Sequence, residues 1–421
     1  MPTINESTDA PASILTPYSI APGTTFVGTI DAGGDADWVS LFATAGYDYH
    51  ITVEGLSNQR LVLIPELGGV TSGWQIRSRL TEPDAVLTPL VNQQYFIDVA
   101  ASPSVAEDYR ITVESEVSSS GQTTTETLTV GVNERNAFEY AGDRDAFGVR
   151  LEVGFGYFAT LSVPDMLGDR NAAGLRITGV GATERIGDLA EATMGVVPSF
   201  TGEHFVRVSH DSATVSAADY DLIVMREVSG DIATTNATIT VGEIIDGTLD
   251  FRSDTDAFTF SVEPGLGYYV GDPSGYGVNF RELRVYEEDG SWEPRVAADR
   301  RYPFSISPDE FGAYSVATIN NSVTDDPIHY ELMLNHEIHG GFATRAALTV
   351  GEAREEAFEF VRDVDMFQLA VLEGVSYRIL AEGQSFPAYV VVFDSDGVAL
   401  TAEDNRNGFA TFDAMADRLV F

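Results

Sequence analysis

The chain of 421 residues contains no cysteine, so disulfides and thiolate metal sites are excluded. Lysine is also absent: all 24 basic residues are arginine, set against 65 acids, for a net charge of −41. So acidic a surface repels phosphate backbones and anionic lipid, which argues against nucleic acid and membrane surfaces as partners. It suits a medium where salt screens self-repulsion or divalent cations neutralise carboxylates. Long apolar runs are missing too. No stretch of about 18 such residues occurs, so no membrane-inserted helix is expected. The opening Met1 to Ser13 has neither a basic region nor an apolar one and does not read as a secretory signal. Three explanations stay open: retention inside, a signal already removed, or an export signal outside these residues. Helical periodicity is nearly absent, and its best candidate, Asp188 to Met194, is too short to alter the fold class.

What the chain does contain is a repeat. Asp143-Arg144-Asp145-Ala146-Phe147 recurs as Asp35-Ala36-Asp37-Trp38-Val39, Asp254-Thr255-Asp256-Ala257-Phe258 and Asp363-Val364-Asp365-Met366-Phe367. The spacing is about 110 residues, the size of one small domain copied rather than one large fold. Gly23, Gly131, Gly242 and Gly351 precede the aspartates at one constant distance, and Gly46, Gly154, Gly265 and Gly374 follow at another. Tyr49, Tyr157, Tyr268 and Tyr377 come three residues after the second set.

Within this frame the apolar residues alternate, as in Val39-Leu41-Ala43, Phe147-Val149-Leu151, Phe258-Phe260-Val262 and Phe367-Leu369-Val371. Ile30, Phe138, Leu249 and the pair Phe358 and Phe360 continue the alternation on the other side of the aspartates. Period-two runs bounded by glycine turns are strands with one buried face. Seven or eight such strands per copy indicate an all-β fold, a tandem array of antiparallel β-sandwiches. The expected domains are 1–117, 118–229, 230–341 and 342–421. The first three end in strands carrying Tyr109, Tyr220 and Tyr330. The fourth stops before any such strand, and is expected to lack an edge strand and to expose unpaired backbone. That suggests the front of a longer polypeptide, or a strand donated by a neighbour. Short joints at 118–125, 229–236 and 335–344 favour a semi-rigid rod over loosely tethered beads.

The frame, with Asp-x-Asp, Gly-x-x-Tyr and a late Tyr-x-Leu/Ile-x-Val, resembles the bacterial pre-peptidase C-terminal domain, a family related to clostridial collagen-binding modules. Asp35, Asp37, Trp38, Gly46 and Tyr49 match it best, whereas Ala146, Ala257 and Met366 replace the aromatic beside the pair. The resemblance covers essentially the whole chain. It implies jelly-roll-like sandwiches on exported bacterial proteins, often beside a hydrolase, with calcium or collagen bound in some relatives. Thr8 to Ala12 also looks like the opening of proteins exported by type I secretion.

The candidate metal ligands are Asp35, Asp37, Asp143, Asp145, Asp254, Asp256, Asp363 and Asp365, joined in the first copy by Glu6 and Asp9. Residues i and i+2 of an extended segment share a side, so each carboxylate pair repels itself unless compensated. Calcium would compensate it, and so would backbone N–H groups in a turn. Other clusters carry less. His336-Glu337-Ile338-His339 has the wrong spacing for a zinc-protease helix. Asp394-Ser395-Asp396-Gly397 reads as a hairpin, with Asn405 where a calcium loop needs Glu. Tyr268, Tyr269, Tyr276, Phe280, Trp74 and Trp292 form a candidate aromatic platform, with core and loop anchoring as the plainer role.

No catalytic constellation emerges. The leading expectation is a non-catalytic, secreted bacterial array for spacing, adhesion or substrate targeting, stabilised by calcium. Its partners would be an extracellular protein, a polysaccharide or copies of itself. The alternatives are an accessory region of a secreted hydrolase and a self-assembling surface protein that uses strand donation.

Overall fold

The computed structural model describes residues 1–31, 34–56, 60–66, 75–78, 83–101, 106–140, 142–164, 173–178, 191–210, 217–273, 282–287, 304–308, 310–320, 327–358, 363–382, 389–401, 409–416 and 418–421. Among these residues the fold is all-β, and no helix is long and apolar enough to cross a membrane. Glu191–Val196 is a strand, so the described part of the one helical candidate is extended. Its first residues, 188–190, lie outside the described set, as do Phe360, Trp74, Trp292, Tyr276, Phe280 and Asn405.

Two compact units divide the chain: Met1–Val153 with Tyr157–Glu227, and Gly154–Gly156 with Val228–Phe421. In the first unit, one sheet runs in the order Thr3–Asn5, Thr24–Ile30, Glu107–Val117, Tyr47–Glu54, Pro83–Leu87, Gln75–Ser78. Its partner sheet runs Ser19–Ile20, Ala36–Ala43, Gln93–Ala100, Arg60–Pro65. Val39, Leu41 and Ile97 from one sheet share a core with Ile51, Val53 and Ile111 from the other, which makes the pair a sandwich. The same order returns in Asn133–Phe138, Ala218–Val228, Phe155–Ser162, Glu191–Val196, and in Thr127–Leu128, Arg144–Leu151, Gly202–His210, Ala173–Thr178.

The second unit repeats it with Ile244–Leu249, Ile328–Glu337, Gly267–Gly271, Phe304–Ile306 facing Thr255–Val262, Gly312–Ile319, Glu282–Tyr286. Phe258, Phe260 and Val316 meet Tyr268, Val270 and Leu332 in its core. Further on, the strands among the described residues are Ala347–Leu348, Gln368–Val371, Arg418–Val420 and the pair Ser376–Leu380 with Phe409–Asp413. Their small core gathers Leu369, Val371, Val392, Ala410 and Phe412. Between them, Asp394 accepts the amides of Asp396 and Val398, and Gly397 closes the expected hairpin with φ +78°.

The framing glycines have a common cause. Gly23, Gly131, Gly242 and Gly351 all adopt positive φ, as do Gly46, Gly154, Gly265 and Gly374, where a side chain would be strained. After each glycine of the second set the tyrosine hydroxyl receives a backbone amide five residues back: Thr44 to Tyr49, Glu152 to Tyr157, Glu263 to Tyr268 and Leu372 to Tyr377. Glycine turns the chain and the tyrosine pins the turn.

One expectation is overturned. The strands carrying Tyr109, Tyr220 and Tyr330 are not at sheet edges. Each lies centrally, between the strand before the aspartates and the strand bearing the glycine-linked tyrosine. The cause is burial: Tyr109, Ile111 and Val113, and likewise Tyr330, Leu332 and Leu334, alternate into the core and need neighbours on both sides. In the last copy the described residues 352–358 form no strand.

Candidate functional site

The two aspartates of each pair do different work. The first closes the turn between strands. Asp35, Asp143 and Asp254 each accept the amide four residues earlier, from Asp31, Glu139 and Asp250, at 2.9, 2.9 and 2.6 Å. Each also accepts the amide of the next residue, Ala36, Arg144 or Thr255, at 2.8, 2.6 and 2.7 Å. Two backbone donors per carboxylate favour its charged form, but burial dominates at Asp143 and Asp254 and pushes both up to about 7.

The second aspartate points into the core. Asp37, Asp145 and Asp256 are buried, and each receives a tyrosine hydroxyl: Tyr109 at 2.7 Å, Tyr220 at 2.6 Å and Tyr330 at 2.6 Å. The other carboxylate oxygen of each has no hydrogen-bond partner among the described residues. Burial pushes these acids up to about 7, 8 and 8, and pushes the tyrosines above their ordinary value. A neutral acid that accepts the phenol on one oxygen and carries its proton on the other fits this geometry. The sequence marked both residue types but not their partnership. The signal was the near-constant separation of 72, 75 and 74 residues.

Asp363 and Asp365 occupy the same places in the last copy. Burial pushes Asp365 up to about 7, with Asp363 the next cause, yet no tyrosine hydroxyl reaches it among the described residues.

Among the described residues of the first unit, three acidic clusters bring ligand atoms within 4.8 Å of one another: Glu6, Asp9 and Asp37; Asp9, Asp31 and Asp35; and Glu116, Glu139 and Asp143. Glu6 is fixed by the amides of Ala10 and Thr29, each at 2.7 Å, and burial raises it. Asp35 and Asp37 fall into separate groups linked through Asp9 rather than sharing one. The third cluster joins consecutive sandwiches. Glu116 ends a strand of the first, while Glu139 and Asp143 belong to the aspartate turn of the second. Tyr140 donates to Glu116 Oε1 at 2.8 Å and stacks on His50 at 4.5 Å, while buried Glu116 Oε2 has no hydrogen-bond partner among the described residues. Burial, then the charge of Asp143, pushes Glu116 up to about 10. Asp31, Glu116 and Glu139 were not foreseen, since nothing in the sequence shows which surface acids a joint will press together.

Crowded carboxylates with raised pKa are relieved by a proton or by a hard divalent cation with oxygen ligands. The residues present fit calcium, whose remaining ligands would be water and backbone carbonyls. Elsewhere the plainer roles prevail. His339 Nδ1 accepts the Gly341 amide at 2.9 Å and its Nε2 donates to the Pro308 carbonyl at 3.1 Å, while His336 sits in a strand. Tyr268 and Tyr269 are buried, and belong to the core rather than to an exposed platform.

The joint between the first two sandwiches is docked rather than loose. Ser118 donates to Asp48 of the first sandwich at 3.3 Å, and its carbonyl accepts the Ala146 amide of the second at 2.9 Å. Thr124 adds a bond to the Ala146 carbonyl at 2.6 Å. In the second unit Ser229 and Thr235 repeat these contacts on Ala257, at 3.0 and 2.8 Å. Compared with known proteins, the chain matches no protein-family model and no curated protein sequence.

Proposed function

We propose that the chain is a non-catalytic, exported bacterial array of β-sandwich modules akin to the pre-peptidase C-terminal domain. It serves as a semi-rigid spacer that presents or targets a larger extracellular protein, and calcium stiffens its joints. The observation that carries this reading is the junction of the first two sandwiches. There Ser118 is bonded to both, and Glu116, Glu139 and Asp143 converge beside it. A ligand that neutralises three carboxylates drawn from two modules holds the modules together, because its binding energy is lost when they part. The net charge of −41 fits a calcium-bearing, saline exterior.

The test is calorimetric titration of the metal-stripped chain with calcium chloride, followed by thermal melts with calcium and with chelator. Heat of binding and a calcium-dependent rise in Tm support the reading. No heat and superimposable melts would leave the aspartates as turn and core residues alone. Hydrolysis of a peptide or glycan by the purified chain would overturn the non-catalytic assignment.

A further inference from the structure

The outer face of one sheet in the second sandwich gathers positive charge in a chain that is otherwise strongly acidic. Arg144–Leu151, Gly202–His210 and Ala173–Thr178 lie side by side there, with their apolar residues turned into the core. The register sets six outward positions in two rows: Arg144, Ser209 and Gly174, then Ala146, Arg207 and Arg176. Three are arginine and three are small, so the guanidinium groups have room above the small residues. Like charges directly opposed across two strands, as Arg176 and Arg207 are, destabilise a sheet unless something compensates them.

The sister sandwiches supply that compensation from the same positions. In the first, Arg60 pairs with Asp98 at 2.9 Å, and in the third Arg284 pairs with Glu282. In the second sandwich none of the six residues is an acid. Arg207 is half-buried, and its buried Nε has no hydrogen-bond partner among the described residues. Burial, then the charges of Arg176 and Arg144, pull this guanidinium below its ordinary value. The carboxylate that acts on it is Asp48, whose oxygens already accept Ser118 and Ser119 at 3.3 and 3.1 Å. Opposite Ser209, a Cβ built on Gly174 would lie 2.5 Å from the Ser209 Oγ, so glycine keeps the space over that hydroxyl.

We propose that Arg144, Arg176, Arg207 and Ser209 form a binding site for one tetrahedral oxyanion, a sulfate or phosphate, either free or as a single ester on a sugar. Such a group offers three or more acceptor oxygens to guanidinium forks and a hydroxyl, whereas a carboxylate offers two. The net charge of −41 works against a polyanion, while salt screens it from one small group held at contact. The site does not depend on calcium.

The test is equilibrium dialysis of the full chain against radiolabelled sulfate, without divalent cations, so that no calcium-bridged anion is counted. Saturable binding of one sulfate is expected, displaced by unlabelled phosphate but not by chloride at equal ionic strength. Arg207→Gln should weaken it about tenfold or more, the loss of a charge-assisted bond. Arg144→Gln should do the same, and its exposed position spares the core. Arg150→Gln, on the same face but opposite Glu203, should bind within about twofold of the parent. Competition by glucose sulfate against inorganic sulfate names the source, since the stronger competitor is the form the site is built for. No saturable binding, displacement by chloride, or equal losses in the Arg150 and Arg207 variants would overturn the proposal.

Discussion

Tyr220 donates its hydroxyl to Asp145 Oδ2 at 2.6 Å, in a core where both residues are buried, and ties the central strand of one sheet to the aspartate strand of the facing one. Tyr109 with Asp37 and Tyr330 with Asp256 do the same. The bond spans the sandwich rather than a sheet, so it fixes how the two layers register. Removing the phenol leaves a buried acid without a donor. Tyr220→Phe is expected to destabilise its sandwich by about 1–3 kcal/mol, measured by urea unfolding. A cost below about 0.3 kcal/mol would show that the layers are registered by apolar packing alone.

The buried acid also makes stability depend on pH. Asp145 is pushed from 3.8 up to about 8, with burial the main cause. Between those values the folded chain holds a proton that the unfolded chain has released, so stability falls as pH rises. The contribution is complete below about pH 4 and is lost as pH climbs through about 8. Melting temperature should therefore be higher at pH 5.5 than at pH 8.5. Asp145→Asn, which is neutral at both, should narrow that difference, and an unchanged difference would assign the effect to surface charge.

Gly28 faces Tyr109 across the sheet, and a Cβ built there would lie 2.7 Å from the ring carbon Cζ. The ring is held by Asp37 and cannot withdraw without breaking that bond. Gly28→Val should cost about 1–3 kcal/mol through overpacking. Asn136 holds the same place opposite Tyr220, so Asn136→Ala should lie within about 0.5 kcal/mol of the parent. Denaturant midpoints of the two variants make the comparison.

At the joint, Glu116 is pushed up to about 10 and is thus neutral near pH 7 without a cation. Gln imitates that neutral form but offers calcium no anionic oxygen. Glu116→Gln should leave the Tm in chelator nearly unchanged and abolish the part of the calcium-dependent gain that arises at this cluster. If the gain survives in full, the ion sits elsewhere.

Much of the fold was legible because its signals are local. Positive φ requires glycine at Gly23 or Gly46 whatever surrounds them, and period two in Val39-Leu41-Ala43 follows from the pleat. The role of Asp143 as a turn closer was legible for the same reason, since its donors lie within four residues. The central place of the Tyr109 strand was not. A strand's rank in a sheet depends on partners dozens of residues away, and an alternating pattern looks alike at an edge and in the middle. The cluster of Glu116 with Glu139 and Asp143 was hidden likewise, because it exists only once two modules are docked.

By itself the sequence determined the repeated frame, the all-β class and the corners, because glycine dihedrals, strand alternation and short-range carboxylate turns are written within a few residues of one another. Only the tertiary structure decided that the second aspartate of each pair belongs to a distant tyrosine, and which acids crowd at a joint. Those outcomes rest on burial and on long-range pairing, which bring a phenol to a carboxyl or raise its pKa in ways no local pattern encodes.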